Sequence, residues 1–294
     1  MTILFALVAA FCNALNLVMQ HIASIGDSGH SKGWRFVRYL VSNPLWLLGW
    51  IALAGAFVFQ ALALHNGQMS VVQPLLVTEL VFGLVLRRLW IHQQIRGITW
   101  WAAALTCGSL ALFVAMSEPS GGNAAPTSSA WIGATAATGG AAAILALLGM
   151  GGSPVRRAAA LGAATSILWA LVATFIKATT DTLTQFGPAG MFTHWPVYAL
   201  AVSGIAAELL NQAALHVGPL SISQPLLVIV DPIVSIGLSI WIFGEMFTED
   251  ALRLALASAA FSAMCVAAAV LARTAPATMD RGPGPTTTPL PGTG

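Results

Sequence analysis

Charge is what this chain of 294 residues has least of: Asp, Glu, Lys and Arg make up 7% of it, against about 25% in an ordinary soluble domain. A soluble fold cannot cover its surface with so few charges, and a hydrocarbon surrounding removes the need to. Cysteine is nearly as scarce. Cys12, Cys107 and Cys265 each lie inside an apolar run, at spacings that suit neither a metal site nor a disulfide framework. They are expected to be small buried hydrophobes. No Lys or Arg precedes the first apolar run, so the positive start of a secretory signal is missing, and Thr2–Met19 reads as a retained helix. The catalytic patterns H-E-x-x-H, G-x-S-x-G, Walker A and the paired Asp-rich prenyl-diphosphate motif are all absent. No enzymatic activity, no cofactor and no metal cage are expected, and direct drive by ATP hydrolysis is not expected of a chain without a nucleotide site. There is no basic run to meet nucleic acid, and the formal charge is only +2.

What the chain has is apolar length. Hydrophobic residues make up 57% of it, and the mean hydropathy is +0.81. A spanning helix needs about 20 mostly apolar residues. Nine runs qualify: Thr2–Met19, Pro44–Leu64, Val71–Ile91, Ile98–Met116, Trp131–Met150, Ala158–Lys177, Trp195–Leu215, Ile222–Phe243 and Ala251–Leu271. Trp46, Trp90, Trp100, Trp101, Trp131, Trp195 and Trp241 stand near their ends, as in an interfacial aromatic belt. The stretch His21–Asn43 is polar, with an amphipathic piece near Trp34–Leu40, and Glu118–Ser129 reads as a loop. The tail 274–294, rich in Pro, Gly and Thr, has no apolar face to bury and is expected to be disordered.

With the N-terminus outside, Lys32, Arg35, Arg38, Arg87, Arg88, Arg96, Arg156, Arg157, Arg273 and Arg281 fall on the cytoplasmic side, and only Lys177 and Arg253 fall outside. That bias predicts N-out, C-in and an odd number of spans in a bacterial cytoplasmic (inner) membrane.

The chain also repeats itself. Gln60–Gln94 aligns without a gap on Asn211–Glu245 at a shift of 151, and 12 of 35 positions match. Apolar bias alone accounts for about 4. The matches include His65/His216, Gly67/Gly218, Ser70/Ser221, Gln73/Gln224, Pro74/Pro225 and Trp90/Trp241, which shared hydrophobicity does not explain. The shift moves the pattern by five spans, an odd number, so the second copy is expected upside down. The predicted fold is all-α and polytopic, an inverted repeat of 4 + 1 + 4 spans: repeat one 1–116, a connector 131–150 and repeat two 158–271, in a single domain 1–272. In such a fold one set of contacts can serve both the inward-open and the outward-open state.

Ionisable groups at mid-membrane are expensive, about 2.5 to 3.5 kcal/mol each on insertion scales. Glu79, Glu208 and Asp231 lie well inside predicted spans and are expected to face the bundle interior as an ion, proton or substrate site. Asp231 precedes Pro232, which breaks one helical hydrogen bond and frees a carbonyl. Glu208 and Asn211, three apart, share a helix face, and Gln60 is the repeat-mate of Asn211. Gln73 and Gln224 precede Pro74 and Pro225, which can serve as first-turn prolines. Asn13, Asn16 and Gln20 stripe the first span, as a solvated path or as interhelical glue. Arg87 and Arg88 are expected to snorkel. Glu245, Glu249 and Asp250 are expected to be solvated in an outer loop.

The repeated segment, with its Pro and its apolar helix ending in Gly244–Glu245 before the small-residue run Ala251–Leu271, resembles the EamA-type repeats of the drug/metabolite transporter superfamily. In the first copy Gln93–Gln94 stand where Gly-Glu would be. Arg38-Tyr39-Leu40, Pro44-Leu45-Trp46-Leu47-Leu48-Gly49 and Glu208-x-x-Asn211-x-Ala213-Ala214-Leu215 resemble elements of the NIPA-like magnesium-transporter branch. The resemblance implies a secondary transporter of a small metabolite, drug or lipid-like compound, with proton coupling through Glu79, Glu208 or Asp231. The alternative is a magnesium or other divalent-cation carrier. A non-transporting membrane subunit is the reading from another class, and needs no internal symmetry. The expected partners are the substrate, the lipid bilayer and a second copy in a homodimer.

Overall fold

The computed structural model describes residues 1–25, 42–92, 94–122, 126–217 and 220–274. Among these, nine helices are long and apolar enough to cross a membrane, and the chain is an all-α, multi-pass membrane protein. In chain order the helices are α1 (Thr2–Ile25), α2 (Pro44–Asn66), α3 (Met69–Leu76), α4 (Glu79–Trp90), α5 (Gly97–Ser117), α6 (Ser128–Leu148), α7 (Pro154–Met191), α8 (Pro196–Val217), α9 (Leu220–Phe243) and α10 (Ala251–Thr274). The third span, Met69–Trp90, is made of α3 and α4 together. The expected amphipathic piece near Trp34–Leu40 and the tail beyond Thr274 lie outside the described residues, and Thr274 itself ends α10.

Local chemistry starts these helices. Asn43 accepts from the Leu45 amide at 2.9 Å ahead of Pro44, and Ser153 accepts from the Arg156 amide at 3.3 Å ahead of Pro154. Each is a side-chain cap followed by a proline whose missing N–H would have had no helical partner. Between α5 and α6, the described part of the expected loop contains a short strand. This strand, β1 (Ser120–Gly121), pairs antiparallel with β2 (Glu245–Met246).

The sixth span runs further than its apolar stretch implied. The helix α7 continues past Lys177 to Met191 and is interrupted by the non-helical Gly187, φ 73°, ahead of Pro188. Lys177 does not end it, because its half-buried ammonium reaches across to α2 and donates to the carbonyls of Leu64 at 2.7 Å and Gly67 at 3.1 Å. The first is a last-turn carbonyl that a helix leaves without a partner, and the second belongs to the residue that follows the helix.

Helix α7 is the centre of the bundle, buried over 78% of its apolar window, whereas α6 and α8 are peripheral at 11% and 17%. Packing pairs α1 with α2 and α7 with α8, α1 with α4 and α7 with α9, α5 with α10, and α3 with α9. Thr2 Oγ1 donates to the Asn66 carbonyl at 2.8 Å, so the start of α1 and the end of α2 lie on the same side. The Thr248 amide donates to Ser117 at 3.2 Å on that side too, and an Arg253–Glu118 ion pair reinforces it. Lys177, late in α7, is tied to this side as well, so α7 begins on the opposite one.

Small residues let the spans close up. At Gly162 on α7 a Cβ would stand 3.1 Å from Ser223 Cα and 3.2 Å from its carbonyl, both backbone atoms of α9. Gly162→Leu is therefore expected to force α7 and α9 apart and destabilise the protein by about 2 to 3 kcal/mol. Thermal unfolding in a fixed detergent checks this. Gly139→Leu, at a position with open space around it, is expected to change little.

Trp90, Trp100, Trp101, Trp195 and Trp241 are exposed near helix ends, in keeping with the aromatic belt. Of the three cysteines only Cys265 is fully buried. Cys12 is half-buried and Cys107 is exposed on α5, since a bilayer tolerates a thiol on either face of a span.

Candidate functional site

The third span breaks where its sequence places a proline. Pro74 is the sixth residue of α3, inside the helix and not in its first turn as its position near the expected helix start suggested. It offers no N–H to the Ser70 carbonyl. Three residues on, the bonding shortens: Val77 donates to Pro74 at 3.2 Å, and Thr78 to Leu75 at 3.1 Å. Thr78 Oγ1 adds a bond to the same Leu75 carbonyl at 2.7 Å. The helix restarts at Glu79, which thus stands in the first turn of α4, where a carboxylate meets the positive end of a helix.

Asp231 reaches the same place from α9. Its carboxyl accepts from Ser235 Oγ, one turn on, at 3.2 Å, and Pro232 behind it leaves the Val228 carbonyl without its helical donor. The Asp231 carboxyl acts electrostatically on Glu79, and the Asn13 side chain of α1 hydrogen-bonds to Glu79. Both carboxyls lie within the bundle and are half-buried. At the shift of 151, Asp231 is the mate of Leu80, one position from Glu79, and the spans that carry them pack on each other.

The other expected residues divide. Asn16 is buried on α1 and accepts from Gln20 at 2.7 Å, so this part of the stripe bonds within its own helix. Gln73 is 2% exposed on α3, and its amide nitrogen has no partner among the described residues. Gln60, Gln224 and Asn211 are half-buried. Glu208 does not join the other two acids. It is exposed on α8 and accepts from Gln212 at 2.6 Å, because the face of α8 that packs on α7 is carried by Ser203, Ala207 and Ala214. Of the arginines, Arg88 is exposed at the end of α4, while Arg87 is half-buried beside His21.

Two residues read differently from their sequence context. Glu245 is not solvated: it is 2% exposed, and its two oxygens accept the amides of Met69 at 2.7 Å and Ser70 at 3.0 Å, capping α3 from the other half of the chain. Glu249 and Asp250 are exposed as expected, and Asp250 caps α10 by accepting from Leu252 at 2.9 Å. Lys177, assigned only to the outer side, lies 5.3 Å over the Phe243 ring while it holds Leu64 and Gly67. Asn13 was visible as part of a polar stripe, with nothing in its spacing to say that it meets Glu79.

A separate, largely apolar cavity of about 550 Å³ opens between α6, α7 and α8, lined by Trp131, Phe175 and Trp195. Trp131 stacks on Phe175 at 5.8 Å and meets Trp195 edge-on at 5.0 Å. Neither Glu79 nor Asp231 lines it. The described residues contain no group of three or more His, Cys, Asp or Glu side chains able to hold a metal ion.

The chain is similar to an uncharacterized protein of Corynebacterium glutamicum. The two are 27% identical over 258 residues, covering 84% of this chain and 86% of the other. The similarity therefore extends over most of the spans and is not confined to one motif. No protein-family model matches the chain, and no solved structure matches it.

Proposed function

We propose that this protein is a secondary transporter of the bacterial cytoplasmic membrane that takes a proton or another small cation at Glu79 and Asp231 and moves a small solute by alternating access. The observation that carries the reading is the convergence of two membrane-embedded carboxyls at a helix break, between corresponding spans of a repeated chain. Soluble-protein reasoning has no use for such a pair, and in a bilayer it is retained for an ion or proton pathway. A broken helix at the interface of two repeats is a recurrent transporter arrangement; here the third span is broken and α9 is continuous.

Further support comes from the packing. The contacts of α1 with α2 and α4 recur as those of α7 with α8 and α9. The beginnings of α1 and α7 lie on opposite sides of the bundle, as an inverted repeat requires. The orientation N-out, C-in places ten of the twelve Lys and Arg residues inside. Membership of the drug/metabolite transporter superfamily accounts for the repeat and for the Gly244–Glu245 ending. Magnesium is the second reading: Asn13, Ser235, Glu79 and Asp231 offer only oxygen-type donors to a cation, and Mg²⁺ keeps several waters and needs few protein ligands.

Purified protein in liposomes loaded with a pH-sensitive dye, challenged with a panel of metabolites and amphipathic drugs, tests the proposal. Proton movement that depends on one solute is expected. Magnesium entry, followed with an internal magnesium dye and independent of any solute, would select the second reading. Tolerance of neutral substitutions at both acids, with a second protein co-purifying in fixed ratio, would favour a non-transporting subunit.

A further inference from the structure

Helix α8 carries a carboxyl on the wrong side for a monomer. Glu208 is the thirteenth of the helix's 22 residues, which at 1.5 Å per residue puts it about 18 Å from one end and about 14 Å from the other. That is near the middle of a hydrocarbon layer about 30 Å thick. It is exposed there, as are Val202 at 70%, Ile205 at 64% and Leu209 at 67% on the same side of the helix. An acid facing acyl chains at this depth is strongly disfavoured, and ionisable side chains in spanning helices almost always face protein or a water-filled cavity.

The neighbour one turn on supplies the clue to what covers it. Gln212, also exposed, donates one N–H to Glu208 Oε1 at 2.6 Å. That leaves the amide a second N–H and the carboxyl a second oxygen, both on the uncovered face. The patch therefore holds a bonded donor and acceptor one turn, about 6 Å, apart along the helix, and it is complementary to itself when Glu208 of each copy takes the free N–H of Gln212 on the other. We infer that α8 is the interface of a two-fold homodimer in which the Glu208–Gln212 pair of one copy bonds to the same pair of the other. A two-fold axis along the membrane normal sets equal depths against each other, which is how a self-complementary patch is used. Polar contacts of this kind join helices in lipid, where apolar surface gives no drive to associate. The assignment gives Glu208 a role apart from the Glu79–Asp231 pair and does not depend on what the protein transports.

Cross-linking in native membranes tests it. In a background with Cys12, Cys107 and Cys265 replaced, Ile205→Cys on α8 is expected to form a disulfide-linked dimer under mild oxidation. Ile132→Cys, equally exposed on α6 at 70%, is expected not to. Adding Glu208→Leu is expected to lower the dimer yield about threefold to tenfold, the range of one interhelical polar contact. Adding Glu208→Gln, which still hydrogen-bonds, is expected to keep most of it. Thermal unfolding of the Glu208 variants in detergent monitors the fold of the single copy. Equal cross-linking at both positions would overturn the proposal. So would the absence of a dimer at Ile205 and at Val202→Cys, or the capture at Ile205 of a protein of different mass.

Discussion

Glu79→Gln and Asp231→Asn, each alone, are expected to abolish ion-coupled transport, by about 100-fold or more, while the bundle stays folded. The size is that of losing a positioned proton-transfer group. Each amide has nearly the shape of the acid it replaces and keeps a carbonyl oxygen for Asn13 or Ser235, the partners seen at these carboxyls. What it loses is the ability to take up and release a proton, or to bind a cation by charge. Asp231 acts electrostatically on Glu79, so neutralising either removes an unfavourable pairing of like groups, and thermal stability is expected to hold or rise. The double variant is expected to transport no worse than either single one, since groups that work as a unit are not additive. Uptake into proteoliposomes, with and without a pH gradient, and thermal unfolding of the same preparations measure both quantities. Undiminished gradient-driven uptake in Glu79→Gln would remove the pair from the mechanism.

The second large effect is structural. Glu245→Ala is expected to destabilise the protein by about 2 to 4 kcal/mol, the sum of a lost helix cap and of two buried amides left without an acceptor. The amides of Met69 and Ser70 open α3, and α3 is already weakened by Pro74. No side chain of Gln68, the residue before the helix, caps it. Lys177 holds the residues just before α3 from a third helix, so α3 enters the membrane between two clamps from the second half of the chain. Glu245→Gln keeps one acceptor oxygen and is expected to lose about half as much. Thermal unfolding of the three proteins in one detergent provides the comparison, and an unchanged midpoint for Glu245→Ala would show that the cap contributes nothing.

The spans were legible because hydrocarbon leaves a coarse signature: each of the nine apolar runs is helical, the third as two helices in series. Their finer features depended on bonds between distant parts. The break at Val77–Thr78 follows from Pro74 lying inside α3, and its position in the helix depended on where α3 begins, which Glu245 helps to set from 175 residues away. Glu245 itself read as a loop acid, because nothing local announces that β2 pairs with β1 and turns its side chain inward. Glu208 and Asp231 look alike in the sequence, each a lone acid in an apolar run. Which of them joins Glu79 is decided by packing: α9 meets α3, while α8 shows α7 a face of small residues on which Glu208 does not lie.

Composition and apolar run length alone therefore determined that this protein is all-α and multi-pass and where, among the described residues, its nine membrane-length helices lie. Each of these is a property of runs of residues, and the cost of exposing a peptide group or a charge to hydrocarbon makes runs decisive. The tertiary structure decided which acids meet, which one is a cap and which one looks outward. A helix presents every side chain in turn around its axis, and only its neighbours determine which of them is turned away from lipid.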